Sequence, residues 1–194
     1  MCPALVPTSG LQLPSRFRPI SLAGRSQGVL GYVRYQPPSP LVYDELFWMP
    51  TQLRDRGGAR GYHVAVMYVD LQATLRGGRE LWWLPKTMAR FERTAGGVTV
   101  DAEDGTHMEL DLEDFGPSFE LPMSVATLQA RGEEAQRFRG SGTGRARAAR
   151  MRVRSLRGAH HGWAGLSSAR MSPLAVHVTR FSTEMKAPQF LDTR

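Results

Sequence analysis

Several stretches of this chain alternate apolar and polar side chains at period two, others are short apolar runs between turn residues, and little of it suggests helix, so the elements it predicts are short strands. In residues 41–49, Leu41, Tyr43, Glu45, Phe47 and Met49 share one face, while Val42, Asp44, Leu46 and Trp48 share the other. Both faces are largely apolar, as in a strand covered on both sides. Further strands are expected at 28–36, which Pro37-Pro38-Ser39-Pro40 ends, and at 62–69, rich in Val and Tyr. Others follow at 87–94, 97–102 and 106–112, with Gly96-Gly97 and Asp104-Gly105 at the turns. His107, Glu109, Asp111 and Glu113 alternate with Met108, Leu110 and Leu112, which makes one wet face and one core face. Residues 145–156 read as an amphipathic strand with Arg150, Arg152 and Arg154 on one side, and 174–185 as a last long strand.

Punctuation separates these runs. Residues 1–19, with Pro3, Pro7, Pro14 and Pro19, read as an extended arm crossing a surface or a neighbouring subunit. Residues 54–61 are a polar, Gly-rich turn, and 70–76 lead into Gly77-Gly78, where a tight turn is expected. Residues 115–122 read as a loop, 123–129 as a strand or short helix, 131–144 as a polar Gly-rich stretch, and His160-His161-Gly162 as a loop. About eight to ten short strands with little helix imply a mainly β fold with minor α. The expected architecture is one domain over 1–194, an antiparallel sheet closed or half-closed into a barrel.

Composition narrows the class. At 194 residues, 41% hydrophobic and 22% charged, the chain suits one domain with a sizeable core. No apolar run is long enough for a membrane span, and the N-terminus lacks the basic and apolar regions of a signal peptide. Cys2 is the one cysteine, which excludes an intrachain disulfide and a multi-cysteine zinc site. A cytoplasmic location is the default expectation. The net charge of +7 would suit nucleic acid. However, the arginines concentrate in 137–157 and the chain has no Asn, a bias that points to a GC-rich genome rather than to a nucleic-acid partner. The His and carboxylate row at 107–113 is read as a solvated strand face, so no metal or other cofactor is expected.

That same bias singles out one residue. Lys86 and Lys186 are the only lysines, and arginine supplies every other basic side chain. Lys86 follows the apolar run Leu81-Trp82-Trp83-Leu84 and Pro85. A lysine kept there offers what arginine lacks, a primary amine that can lose its proton and attack a carbonyl. Burial among Trp82, Trp83, Leu84 and Met88 would disfavour its charged form; the bland alternative is a stem laid on the aromatics with the ammonium in water. Glu45, a carboxylate in an apolar row, has two readings: a structural ion pair, for instance with Arg79, or a place in an active site. Arg79 and Glu80 are adjacent and cannot both face the lysine; they read mainly as buried ion-pair partners holding the loop. His63, at a strand start, reads as structural.

Tyr62-His63-Val64-Ala65-Val66-Met67-Tyr68-Val69-Asp70, then Gly78-Arg79-Glu80-Leu81, then Pro85-Lys86, resembles the core of the acetoacetate decarboxylase family. Tyr43-Asp44-Glu45 looks like that family's Tyr-x-Glu. The resemblance covers most of 28–112 and, more faintly, the rest. It implies a β-barrel-like fold assembled in homo-oligomers, with Lys86 forming a Schiff base on a small keto acid and Glu45 in the active site. Trp82, Trp83 and Met88 would wall the substrate site, with Tyr43 and Arg79 beside them. The chain also departs from the family: Thr87 stands where the family has a second lysine, and no carboxylate lies near Tyr32, the place of a second glutamate. The implied activity is a lyase that decarboxylates a keto acid or runs aldol or dehydratase chemistry. The alternative is a barrel of the same type that binds a small carbonyl or apolar ligand without turnover.

Overall fold

The computed structural model describes residues 1–158 and 160–192. Among them the chain forms fourteen strands and one α-helix. In order these are β1 (Cys2–Pro7), β2 (Arg18–Pro19), β3 (Arg25–Tyr35), β4 (Tyr43–Met49), β5 (Thr51–Arg54), β6 (Arg60–His63) and β7 (Val66–Val69). There follow α1 (Gln72–Leu81), β8 (Lys86–Thr94), β9 (Gly97–Ala102), β10 (His107–Arg131) and β11 (Glu134–Arg157). β12 (Arg170–Met171), β13 (Ala175–Met185) and β14 (Gln189–Leu191) complete the set. The fold is mainly β, as the period-two pattern predicts.

The strands pair in the order β12-β1-β3-β4-β7-β8-β9-β10-β6-β5-β2, with β11 on β10 and both β13 and β14 on β11. This corrects the expected antiparallel barrel: the sheet is mixed and its path does not close. β7 runs parallel to β8, with Met67 opposite Lys86, and β10 meets β6 in parallel at Thr127 and Tyr62. A parallel pair cannot be joined by a hairpin; it needs a crossover, and α1 supplies it. The helix runs straight through Gly77-Gly78, where a turn was expected.

The run 62–69 is two strands rather than one. His63 pairs with Thr51 on β5, whereas Val66 pairs with Trp48 on β4. Pro50 on one side and Val64-Ala65 on the other carry both chains from one part of the sheet to the next. The N-terminal arm is also corrected. β1 lies between β3 and β12, and Cys2, Ala4 and Val6 are buried in the core. Alternation drives them inward, since Pro3 and Pro7 fall on the other face.

The expected loop at 115–122 and the Gly-rich stretch 131–144 instead belong to one long ribbon of β10 and β11, reversed at Gly132-Glu133. Gly132 takes φ 56°, a left-handed turn conformation that glycine adopts at little cost. Cross-strand charge holds the ribbon in register: Asp111 pairs with Arg154, Glu113 with Arg150, Asp114 with Arg147 and Glu120 with Arg145. The acidic row and the arginine row therefore face each other.

The β3–β4–β7–β8 layer is apolar on both sides. Leu30, Leu46, Trp48, Val66 and Tyr68 pack into the main core. Phe47, Met49, Met67, Leu84 and Phe138 pack on the opposite face. In the main core the Tyr68 hydroxyl donates to Asp104 at 2.8 Å and accepts from the Trp163 indole at 3.0 Å. No helix among the described residues is long and apolar enough to cross a membrane.

Candidate active site

Register decides which side chains meet. On the second face, Phe47, Met67 and Lys86 form one cross-strand row, and Glu45, Val69 and Met88 form the next. Lys86 is the first residue of β8, directly after Pro85, whose fixed φ sets the entry into the strand. Its stem crosses β7 diagonally toward β4. There its Nζ lies 2.9 Å from Glu45 Oε2, with side-chain exposures of 6% and 8%. This is a buried, hydrogen-bonded ion pair, and Glu45 takes Lys86, not Arg79, as its partner.

Two tyrosines complete the surroundings. The Tyr43 hydroxyl donates to the same Glu45 oxygen at 3.5 Å, and Nζ sits 5.6 Å from the Tyr43 ring centre. Tyr35 stacks on Tyr43 with ring centres 4.4 Å apart. Burial first, and the Glu45 charge second, push both phenols above the ordinary tyrosine range, so both keep their protons.

Gly78 makes room for the lysine. A Cβ on it would stand 2.5 Å from Lys86 Cδ and 2.6 Å from Cε. The helix presents this one gap to the lysine stem, so Gly78 serves close approach rather than a turn. Sequence reasoning missed this role; the available signal was a glycine seven residues before the proline. It missed Tyr35 as well, whose stacking on Tyr43 depends on the β3–β4 register.

The remaining expected site residues are placed as follows. Arg79 and Glu80 are exposed on α1, which corrects their reading as a buried pair. Arg79 Nε donates to the Lys86 carbonyl at 2.7 Å, so it holds the lysine backbone rather than its amine. Trp82 packs on Phe138, and its buried indole Nε1 has no partner. Trp83 lies against Phe190 and the Arg131 guanidinium. Met88 is half-buried on the lysine face, in the same cross-strand row as Glu45. Thr87 points to the opposite face, opposite Tyr68. Tyr32 also turns away: its hydroxyl donates to Asp44 at 2.7 Å, and Val33 stands across from Glu45.

Two clefts open nearby. One of about 280 Å³ is lined by Arg79, Pro85, Lys86, Thr87, Asp104 and His160. The other, of about 140 Å³, is lined by Gln12, Pro50, His63 and His161. Glu45 lines neither. Burial holds the His63 imidazole below its ordinary pKa, and its Nδ1 has no partner. No group of three or more metal-ligating side chains occurs among the described residues.

No protein-family model matches the chain, and no curated protein matches it in sequence. Solved structures do match in fold. The acetoacetate decarboxylase of Legionella pneumophila subsp. pneumophila str. Philadelphia 1 matches with a TM-score of 0.53 at 13% identity, over 98% of this chain and 84% of that one. The enduracididine biosynthesis enzyme MppR complexed with pyruvate matches with a TM-score of 0.60 at 10% identity, over 99% and 87%. MppR complexed with the condensation product of pyruvate and imidazole 4-carboxaldehyde matches at 0.57 and 10%, over 99% and 86%. With its helical crossover, its mixed open sheet and these neighbours, the chain has the acetoacetate decarboxylase-like fold.

Proposed function

We propose that this chain is a Schiff-base-forming lyase that acts on a small keto acid through Lys86. The observation that carries the reading is the buried Lys86 amine, 2.9 Å from Glu45 and seated in the gap at Gly78. Lys86 can hand a proton to Glu45 without an intervening water. The free amine adds to the ketone carbon, and the carbonyl oxygen leaves as water after Glu45 returns the proton, which gives an iminium. In a 3-keto acid, the electrons of the carbon–carboxylate bond then flow into the iminium and CO2 departs. The enamine left behind is protonated, and hydrolysis frees the ketone and the amine. In pyruvate, Glu45 would instead take a methyl proton, and the enamine would add to an aldehyde. The binding of pyruvate and of a pyruvate condensation product by fold neighbours supports a small keto acid as the substrate class. Arg79, Met88 and Tyr43 are the residues proposed to contact it.

A second reading rests on Glu45 lining neither cleft. In it the ion pair fastens β4 to β8, and the fold binds a small carbonyl or apolar ligand without turnover. Borohydride trapping separates the two. The protein is incubated with pyruvate, acetoacetate and other 2- and 3-keto acids, reduced, digested and weighed. The lyase reading expects an adduct on the Lys86 peptide that Lys86→Ala abolishes and Lys186 does not carry. Saturable ligand binding with no adduct across the panel would overturn it and leave the binding fold.

A further inference from the structure

We infer that two copies of this chain pair through the outer edge of β13, antiparallel and centred on Ser182. The other open edges are shorter or blunted, and the outer side of β11 from Arg150 to Arg157 presents a run of arginines that would repel a second copy. The terminal strand β2 is two residues long. The outer edge of β10 between its β9 and β6 pairings carries Pro117 and Pro122, which cannot donate to a further strand. β13 differs. It spans eleven residues without proline, is rich in Val, Thr and Phe, and pairs only with β11. Met1 covers its first turn of ladder at Val176, and beyond that its outer side carries no paired strand among the described residues.

The alternation of an antiparallel ladder fixes which groups point outward. The Lys186 N–H donates to Arg139 on β11. Residues 180, 182, 184 and 186 thus direct their backbone groups inward, and Phe181, Thr183 and Met185 direct theirs out. A two-fold axis at Ser182 then brings Phe181 opposite Thr183 of the second copy in hydrogen-bonded pairs. It brings Arg180 opposite Glu184 in the intervening pairs, where side chains approach most closely. Both are exposed. Within its own chain Arg180 lies across from Arg145, which already pairs with Glu120, and Arg180 has no acidic partner among the described residues. A neighbouring Glu184 supplies one twice per interface. Moving the axis by one residue either way loses the match: centred on Thr183, Arg180 faces Lys186. The edge also adjoins the lysine site, since Phe181 packs edge-on against Tyr35, which stacks on Tyr43.

Sedimentation of the full chain tests this. The wild type should sediment as a species larger than the 21.6 kDa chain. Arg180→Glu alone and Glu184→Arg alone should each lose that pairing, because each sets like charges across the axis. An equal mixture of the two should form a heterodimer, and the chain carrying both changes should pair with itself again. Rescue by mixing or by the double change excludes a mere folding defect. A monomeric wild type, or reversals that leave the assembly unchanged, overturns the inference.

Discussion

Gly77 and Gly78 sit side by side on α1, and the fold makes opposite predictions for them. In a helix interior, replacing glycine by alanine gains about 1 kcal/mol through propensity. A Cβ on Gly77 would meet nothing within 4 Å, so Gly77→Ala should keep that gain. For a chain of this length it would raise Tm by about 2–4 °C. On Gly78 the same Cβ would stand 2.5 and 2.6 Å from Lys86 Cδ and Cε, where carbon atoms rest at about 3.5–4.0 Å. The overlap exceeds about 1 Å, and the stem is held at both ends, by the strand and by the 2.9 Å contact to Glu45. Relief by overpacking costs about 1–3 kcal/mol. If the stem swings out and leaves Glu45 buried alone, the loss approaches about 3–5 kcal/mol. Gly78→Ala should therefore be less stable than Gly77→Ala by at least about 1 kcal/mol, the propensity gain being common to both. Thermal and urea unfolding of both variants measure the difference, and borohydride trapping with pyruvate reads the amine. If Gly78→Ala is as stable as Gly77→Ala and traps as well as wild type, Gly78 does not cradle the lysine and the placement of the amine is wrong.

Glu45→Gln should destabilise by about 3–5 kcal/mol, because it strips a buried ammonium of its counter-ion; urea unfolding measures this, and the double change with Lys86→Met, which removes both charges, should recover most of the loss. The His63 imidazole is held below its ordinary pKa by burial, so the unfolded chain takes up a proton that the folded chain refuses. The stability this contributes is fully present above about pH 6.5 and lost as pH falls below it. Urea midpoints should drop between neutral pH and about pH 5, and His63→Gln should flatten that part of the profile; an unchanged profile in the variant would contradict the assignment.

The alternation of residues 41–49 was legible as a strand buried on both faces, and with it the placement of Glu45 inside. The isolation of Lys86 among arginines and the order Gly-Arg-Glu-Leu then Pro-Lys pointed to the fold now seen. These are short-range features: side-chain period and local motif are written into consecutive residues. The ribbon of β10 and β11 was not legible, because Phe115–Pro122 and Arg131–Gly144 read as turn chemistry. What overrides them is the backbone pairing of the two strands with each other, which no local window contains. The helix through Gly77-Gly78 escaped for the same reason. Only the folded chain reveals that Lys86 needs the space, and only the β4–β7–β8 register sets Glu45 diagonally across from it. The sequence determined by itself that the chain is β-rich, that Glu45 lies in an apolar row and that one lysine stands apart. The tertiary structure decided that the sheet is open and mixed, and that the amine meets Glu45 and Tyr43 while Arg79 grips its backbone. Contacts between residues some forty positions apart arise from sheet pairing, which depends on the whole chain at once.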